Sequence, residues 1–136
     1  MRYLHVNPSD ATPIWSQIEE GIRRLVASGA LRAGGSIPSV RDLARELTVN
    51  PATVAKAYQR LTDAGVLTVK RGEGTYVSDS PPIMGKIERS KTLKDGAARY
   101  ASLAVTIGAE AEEAARELTV AWKQLGDGTR PGGKKP

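Results

Sequence analysis

Apolar residues recur at helical spacing in three segments of the first half of the chain. The first segment lies between Pro13 and Gly29, and its apolar face consists of Ile14, Ile18, Ile22, Leu25 and Val26. The second follows a glycine-rich loop over residues 34–38, and the third begins after a connection of only two residues. Because spacings of three and four residues bring side chains to one face of an α-helix, the pattern predicts three amphipathic helices, with a tight turn between the last two.

The second and third helices carry residues that commonly start a helix. Ser39 stands three residues before Asp42, a spacing that resembles a capping box, and Asn50 is a suitable N-cap with Pro51 at the first helical position. The third helix is expected to run to Gly65. Its inner face is predicted to consist of Val54, Ala57, Tyr58 and Leu61. Its outer face is predicted to consist of Ala52, Thr53, Lys56, Gln59 and Arg60.

Two short strands are predicted after the third helix. Residues 66–69 and 75–77 are rich in β-branched residues, and a glycine-containing turn from Arg71 to Gly74 separates them. Residues 1–78 are therefore expected to form a winged helix-turn-helix domain in which this β-hairpin is the wing.

The rest of the chain has a different pattern. Residues 79–85 include Pro81 and Pro82, which predict an extended linker. Two further series at helical spacing predict an α-helical hairpin over residues 86–125, and residues 126–136, rich in glycine, proline and lysine, predict a disordered tail. The predicted fold class is mainly α with a small β-wing: an N-terminal winged helix-turn-helix plus a C-terminal α-helical hairpin.

The predicted hairpin has small, alanine-rich apolar faces that cannot enclose a core by themselves. It is expected to pack against the winged domain or, as the preferred alternative, against the same hairpin of a second chain, which makes the protein a homodimer. The residues predicted for dimerisation are Leu93, Tyr100, Ala104, Ile107, Leu118, Trp122 and Leu125.

Composition narrows the class of protein. The 136-residue chain has a formal net charge of +5, spread along its length, which permits an anionic partner without specifying one. The chain contains no cysteine, which excludes thiolate metal sites and cysteine nucleophiles and favours a reducing, cytoplasmic compartment. No apolar run is long enough to span a bilayer and no secretory signal is evident, so no membrane association is expected.

A helix-turn-helix places its second helix in the major groove of DNA. Thr53 can reach a base edge or a phosphate, Lys56 can reach guanine or a phosphate, and Ala52 is short enough for close backbone approach. The start of this helix is also expected to offer unpaired N–H groups to a phosphate. Asn50 has two interpretations there, as a helix cap alone or as a cap that also contacts phosphate.

Four further basic residues have two interpretations each. Arg41 and Arg45 share one face of the second helix, where they either approach the DNA or pair with neighbouring carboxylates. Local pairing is favoured for Arg45. Lys70 and Arg71 stand at the tip of the wing, where they either touch the minor groove or a phosphate, or are solvated turn charges.

Other kinds of site are disfavoured. His5 is the only histidine and has no carboxylate cluster beside it, so no metal site, catalytic residue or cofactor is predicted. The glycines of RGEG lie between strands and lack the spacing of a phosphate-binding loop. Trp15 and Trp122 are expected in the core or in a dimer contact. An enzyme is therefore not predicted, and the alternative to DNA binding is a winged helix that serves only in protein interaction.

Residues 13–77 resemble the GntR family of bacterial regulators. The resemblance rests on the segments PIWSQIEEGIRRLVASGAL, GGSIPSVRDLARELTVNPATVAKAYQRLTDAGVL and RGEGTYV. The NPATVAKAYQRL segment and the short helical hairpin are similar to the YtrA-like branch, whose members lack large effector-binding domains. Many members of the family carry arginines where this sequence has Pro51 and Ala55, so their base contacts cannot be transferred to these two positions.

The resemblance implies a sequence-specific DNA-binding transcriptional regulator, more commonly a repressor, that binds an inverted-repeat operator as a homodimer. The implied partner is double-stranded DNA. A small-molecule effector of unknown identity is left open, and its expected place is the cleft between the hairpin and the winged domain. The residues predicted to bind DNA are Ser39, Arg41, Asn50, Pro51, Ala52, Thr53, Lys56, Arg71 and Gly72.

Overall fold

The computed structural model describes residue 1, residues 4–82 and residues 84–129 of the chain. The chain divides into two compact units, whose main spans are Met1–Pro82 and Ile83–Gly128. The first is called the N-terminal unit below, and the second the C-terminal unit.

The N-terminal unit contains three helices and a three-stranded antiparallel sheet. Its helices are α1 (Ile14–Ala27), α2 (Val40–Leu47) and α3 (Pro51–Asp63), and its strands are β1 (Ser36–Ile37), β2 (Leu67–Lys70) and β3 (Gly74–Val77). Strand β3 lies between β1 and β2, and β2 and β3 form a hairpin that pairs Val69 with Thr75. The unit is a winged helix-turn-helix, which confirms the predicted fold class for this part of the chain.

Strand β1 corrects the sequence prediction, in which residues 34–38 form a loop. Ser36 and Ile37 pair with Tyr76 and Thr75 of β3. The flanking backbone is tied to Val77 of the same strand, whose N–H donates to the carbonyl oxygen of Gly35 at 2.8 Å. A two-residue strand is too short to show an alternating pattern, and it forms here because β3 supplies a hydrogen-bonding edge beside it.

The core of the N-terminal unit is built by all three helices and the wing. Helix α1 contributes Ile18 and Ile22, which have no exposed surface, and α3 contributes the four residues predicted for its inner face. Strands β2 and β3 add Leu67 and Val77. Full burial of a side chain of this size contributes about 1.5–3 kcal/mol relative to exposure, so this cluster is the main source of stability in the unit.

Tyr58 joins α3 to the segment before α2. Its hydroxyl donates to the carbonyl oxygen of Pro38 at 2.7 Å, and the side chain belongs to the buried core. Burial raises the pKa of the Tyr58 hydroxyl well above its ordinary value, and the negative charge of Glu46 raises it further. The tyrosine is therefore held in its neutral form as a hydrogen-bond donor.

The turn between α2 and α3 contains a residue in the left-handed conformation. Thr48 ends α2 with φ 57° and ψ 51°, and the Val49 N–H donates to the carbonyl oxygen of Ala44 at 3.0 Å. Glycine is the usual residue at such a position, because a side chain there is strained. Asn50 and Pro51 then start α3 as predicted. This tight reversal sets the angle at which α3 leaves α2.

The C-terminal unit consists of two helices, α4 (Lys86–Thr106) and α5 (Ala111–Thr129). A short connection over residues 107–110 joins them, and Gly108 adopts φ 79° within it. The predicted helical C-terminal region is confirmed. No helix in the part of the chain that the structure describes is long and apolar enough to cross a membrane.

The end of α5 corrects the predicted start of the disordered tail. The helix continues to Thr129, beyond residue 125, where the hairpin is predicted to end. Gly126 and Gly128 each lower helix propensity by about 1 kcal/mol but, unlike proline, leave the helical hydrogen bonds intact. The remaining residues of the predicted tail, 130–136, lie outside the described part of the chain.

Candidate nucleic-acid interface

The outward surface of α3 consists of small or polar side chains. Ala52, Lys56 and Gln59 are exposed, and Thr53 is half-buried. This orientation follows from the packing of the opposite face of α3 in the core. An accessible helical face of this kind, on a helix that follows a tight turn, is what a helix-turn-helix inserts into the major groove.

The backbone N–H groups in the first turn of α3 are already used. Pro51 has no N–H group, and the Ala52 N–H donates to Oδ1 of Asn50 at 2.8 Å. The N–H groups of Thr53 and Val54 donate to the carbonyl oxygen of Asn50 at 2.9 and 3.4 Å. The expectation that this helix start offers unpaired N–H groups to a phosphate is therefore wrong. An anion at this end has to be bound by side chains.

Asn50 retains donors after it has capped α3. Its Oδ1 accepts the Ala52 N–H, while no described residue accepts a hydrogen bond from Nδ2. The residue is exposed, and an amide nitrogen carries two N–H donors. Capping and a phosphate contact are thus compatible at this position.

Two cations of α3 lie against a single aromatic ring of α1. Lys56 Nζ is 4.3 Å, and Arg60 Cζ is 4.8 Å, from the centroid of the Trp15 ring. Arg60 Nε also donates to Glu19 Oε1 at 2.7 Å. The second carboxylate oxygen of Glu19 pairs with Arg23 Nη2 at 3.3 Å. Trp15, Glu19, Lys56 and Arg60 form what is called the tryptophan cluster below.

The tryptophan cluster departs from the sequence prediction for Trp15, which places it in the core or in a dimer contact. Trp15 is instead half-buried and stacks with cations. A signal is present in the sequence, because Trp15 and Glu19 are four residues apart, as are Lys56 and Arg60. Residues at that spacing share a helix face. The match between the two pairs becomes apparent only once α1 and α3 are known to be neighbours.

The start of α2 places Ser39 and Arg41 at the surface. Ser39 Oγ accepts the Asp42 N–H at 3.1 Å, so Ser39 caps the helix as predicted. Arg45 Nη1 pairs with Asp42 Oδ1 at 3.4 Å, and both side chains are well exposed, which confirms the favoured local pairing of Arg45. Arg41 makes no hydrogen bond or ion pair with any described residue, so its charge is available to a partner.

The two basic residues of the wing differ in their contacts. Lys70 Nζ lies 4.5 Å from the centroid of the Tyr76 ring, whereas Arg71 is exposed and has no hydrogen bond, ion pair or ring contact with the residues described. Gly72 adopts φ 77°, and no atom of the described residues lies within 4 Å of where its Cβ would be. A side chain at position 72 would therefore meet no steric clash with a neighbouring residue, and only the positive φ of the backbone would disfavour it.

The residues predicted for dimerisation fall into two groups. Tyr100 is half-buried, with its hydroxyl donating to the carbonyl oxygen of Ala114 at 2.7 Å, and Ala104 is 8% exposed. Neither offers an open apolar surface. The others are exposed, at 66% for Leu93, 71% for Ile107, 53% for Leu118, 66% for Trp122 and 46% for Leu125. Within α4 and α5, the exposed large apolar residues not predicted for this role are Ile87, Leu103, Val105 and Val120.

His5 borders two shallow surface depressions. One is lined also by Glu46 and Leu47, and the other by Asp10 and Arg24. Within the described ranges, no group of three or more histidine, aspartate or glutamate side chains is placed to hold a metal ion.

Comparison with known proteins identifies relatives of the N-terminal unit. Residues 15–77 match the family described as bacterial regulatory proteins, gntR family. The HTH-type transcriptional repressor YtrA of Bacillus subtilis (strain 168) is 39% identical over 77 residues, which are 57% of this chain and 59% of YtrA. This match leaves about two fifths of that relative uncovered.

Two solved structures resemble a larger part of the chain. YtrA from Sulfolobus acidocaldarius, a GntR-family transcription factor, is 35% identical with a TM-score of 0.56, and the match covers 70% of this chain and 98% of that one. A transcriptional antiterminator from Listeria monocytogenes EGD-e is 27% identical with a TM-score of 0.67, covering 88% of this chain and 90% of that one. Both matches are longer than residues 15–77, the segment matched to the family.

Proposed function

This chain belongs to the gntR family of bacterial regulatory proteins, as a YtrA-like member, and we propose that it regulates transcription by binding a specific operator as a homodimer. The resemblance stated from the sequence is thereby confirmed. Repression is the proposed outcome, because the Bacillus relative is named a transcriptional repressor. Binding over or beside a promoter would block polymerase.

The observation that supports DNA binding most directly is the surface at the start of α3. Asn50, Pro51 and Ala52 are exposed, and Thr53 stands at the edge of the buried face. The N-terminal residues of a recognition helix contact base edges. Asn50 and Thr53 supply hydrogen-bonding groups there, and Ala52 can contact a thymine methyl group. We infer that these residues read bases or position α3 in the groove.

The proposed backbone contacts come from cations outside that surface. Arg41 at the start of α2 and Arg71 at the tip of the wing have no partner among the described residues, so neither must break a contact to bind a phosphate. Lys56 adds a third cation. Contacts of this kind carry no sequence information but supply much of the affinity and make it depend on salt.

The proposed dimer is formed by the exposed apolar residues of α4 and α5. Such residues, at 46% to 71% exposure in the predicted set, are expected to be covered by a second copy, since a large exposed apolar surface on a soluble protein usually marks an interface. A two-fold symmetric dimer presents two α3 helices, so its operator is an inverted repeat. A small-molecule effector stays a prediction.

The first test is fluorescence anisotropy of the full chain with candidate operators. The candidates are genomic DNA fragments that the immobilised protein retains, together with the region upstream of its own gene. Binding tighter than that to scrambled duplex by on the order of a thousandfold, and weakening steeply with salt, is expected. Equal and weak binding to retained and scrambled fragments would contradict the proposal and favour a role in protein interaction alone.

Asn50 provides a matched pair of variants that separates capping from DNA contact. Asn50→Asp keeps a side-chain acceptor for the Ala52 N–H, so the free energy of unfolding should change little. Its negative charge next to phosphate should lower operator affinity. Asn50→Ala removes the cap and should cost about 1 kcal/mol of stability. If Asn50→Asp binds the operator as tightly as the wild type, Asn50 does not face the DNA.

Arg71 tests the wing. Arg71→Gln should weaken binding to operator and scrambled DNA alike and reduce the slope of log affinity against log salt by about one. Arg89→Gln in α4 removes the same charge from an exposed position outside the proposed interface, and serves as the control. If the two variants weaken binding equally, Arg71 does not contact DNA and the wing is not part of the interface.

A further inference from the structure

We propose that Trp15 is a positioning residue for DNA binding, because its ring holds the Lys56 ammonium in place for contact with a backbone phosphate. The proposal rests on the proposed function and extends the interface from α3 to α1. Its basis is the tryptophan cluster, in which both Lys56 and Arg60 lie over the ring of Trp15.

Arg60 and Lys56 differ in what else they touch. Arg60 is fixed by Glu19 at 2.7 Å, and Glu19 is 9% exposed. This carboxylate also pairs with Arg23 through its other oxygen, so its single negative charge is shared between the two arginines. Lys56 has no carboxylate partner in the described part of the chain. Trp15 is therefore its only attachment there, and the positive charge of Lys56 stays uncompensated.

The contact with Trp15 leaves the hydrogen-bonding capacity of Lys56 unused. A cation is attracted to the face of an aromatic ring by the ring's quadrupole, which takes up no N–H donor in a conventional hydrogen bond. The ammonium group has three donors, and Lys56 is an exposed residue. The group can therefore rest against Trp15 and bind a phosphate oxygen at the same time.

This arrangement removes a cost of binding. A free lysine side chain samples many rotamers, and ordering it on DNA costs conformational entropy. Trp15 orders Lys56 before DNA arrives. The contact should serve affinity rather than sequence discrimination, because the residues that read bases stand at the start of the helix. Lys56 lies five residues after Pro51, about 7.5 Å further along the axis.

The test is a double-mutant cycle on DNA affinity, measured by anisotropy with operator and scrambled duplexes. Trp15→Leu should weaken binding to both by about two- to fivefold, the range expected for an exposed cation–π contact. Its salt slope should stay unchanged, because no charge is lost. Lys56→Met should lower the slope by about one. In the Lys56→Met background, Trp15→Leu should have no further effect on affinity.

Two controls accompany the cycle. Trp15→Phe keeps a ring and should retain most of the affinity. Lys94→Met removes an exposed lysine of α4, and Trp15→Leu should weaken binding in that background as much as in the wild type. The same cycle on urea unfolding of the free protein reports whether Trp15 and Lys56 interact without DNA.

The outcomes separate the two proposals. If Trp15→Leu weakens binding equally with and without Lys56, Trp15 acts only through the structure of α1 and the inference is wrong. It is equally wrong if Trp15 and Lys56 are coupled in unfolding while Trp15→Leu leaves DNA affinity unchanged; operator binding would then stand. Absence of selective binding by the wild type would overturn the proposed function and this inference with it.

Discussion

The two units of this protein treat their apolar residues in opposite ways. In the N-terminal unit, the apolar faces of α1 and α3 are covered, with Ile18, Ile22 and Leu61 at no exposure. In the C-terminal unit, Ala104 is the only buried residue among those described. The large apolar residues there are exposed, up to 88% for Ile87. The same helical periodicity thus gives a closed core in one unit and an open apolar surface in the other.

This contrast shows what helical periodicity can predict. Spacing of three and four residues identifies the side chains on one face, but the spacing is identical whether the covering surface comes from the same chain or from another. The N-terminal unit supplies its own cover from three helices and a wing. In the C-terminal unit, the proposed cover is a second copy of the chain.

The largest effect is expected from a substitution in the core of the N-terminal unit. Leu61→Ala removes a fully buried side chain and should lower the free energy of unfolding by about 2–5 kcal/mol in urea titrations followed by circular dichroism. Leu103→Ala makes the same change at 57% exposure in α4 and should cost less than about 1 kcal/mol. The two variants are compared at a protein concentration low enough for the chain to be monomeric. Equal losses of unfolding free energy there would mean that the two units do not differ in how they bury their apolar residues.

A second prediction concerns the open apolar surface. Leu118→Asp puts a charge on it and should convert the dimer to a monomer in sedimentation or light-scattering measurements. Operator affinity should fall by about a hundredfold, because two linked α3 helices bind far more tightly than one. Val69→Asp puts the same charge on an exposed apolar residue of the wing and should leave the oligomeric state unchanged. A Leu118→Asp protein that remains dimeric would place the interface elsewhere.

A smaller effect is expected at Tyr58. Tyr58→Phe leaves the Pro38 carbonyl without its donor and should cost about 1 kcal/mol. The pKa of Tyr58 is higher in the folded state than in the unfolded chain. Its contribution to the free energy of unfolding is therefore complete below the ordinary tyrosine pKa of about 10, and it is lost as the pH rises from there toward the folded-state pKa. Unfolding curves should therefore show a steeper fall in stability above pH about 10 for the wild type than for Tyr58→Phe. Parallel curves would show that Tyr58 is not buried as described.

The smallest effect is a gain. Thr48→Gly relieves the left-handed conformation between α2 and α3 and should stabilise the N-terminal unit by about 0.5–1 kcal/mol, after the entropy that glycine adds to the unfolded chain is subtracted. The measurement is the thermal midpoint, with Thr48→Ala as the control, which keeps a Cβ and should give no gain. A lower midpoint for Thr48→Gly would indicate that the threonine side chain has a stabilising contact.

Much of the candidate interface could be predicted from local pattern. Ser39 and Asn50 cap their helices, and Val54, Ala57 and Leu61 turn inward, because capping and helical spacing depend on residues close in sequence. The prediction that the start of α3 offers unpaired N–H groups to a phosphate is wrong. Pro51 lacks a donor, and Asn50 accepts the next N–H groups through Oδ1 and its carbonyl oxygen. The sequence shows both the cap and the proline, and together they already imply that few N–H groups stay free.

The sequence by itself determined the helices, their inner faces, the wing and the family, since each depends on short-range spacing or on residues matched along the chain. Only the tertiary structure decided that β1 exists and that Trp15 meets Lys56 and Arg60. It also decided that Lys70 lies over the Tyr76 ring, whereas Arg41 and Arg71 have no partner among the described residues. These features join residues distant in sequence or depend on where each side chain comes to rest. They follow from how the elements pack, which no local pattern specifies.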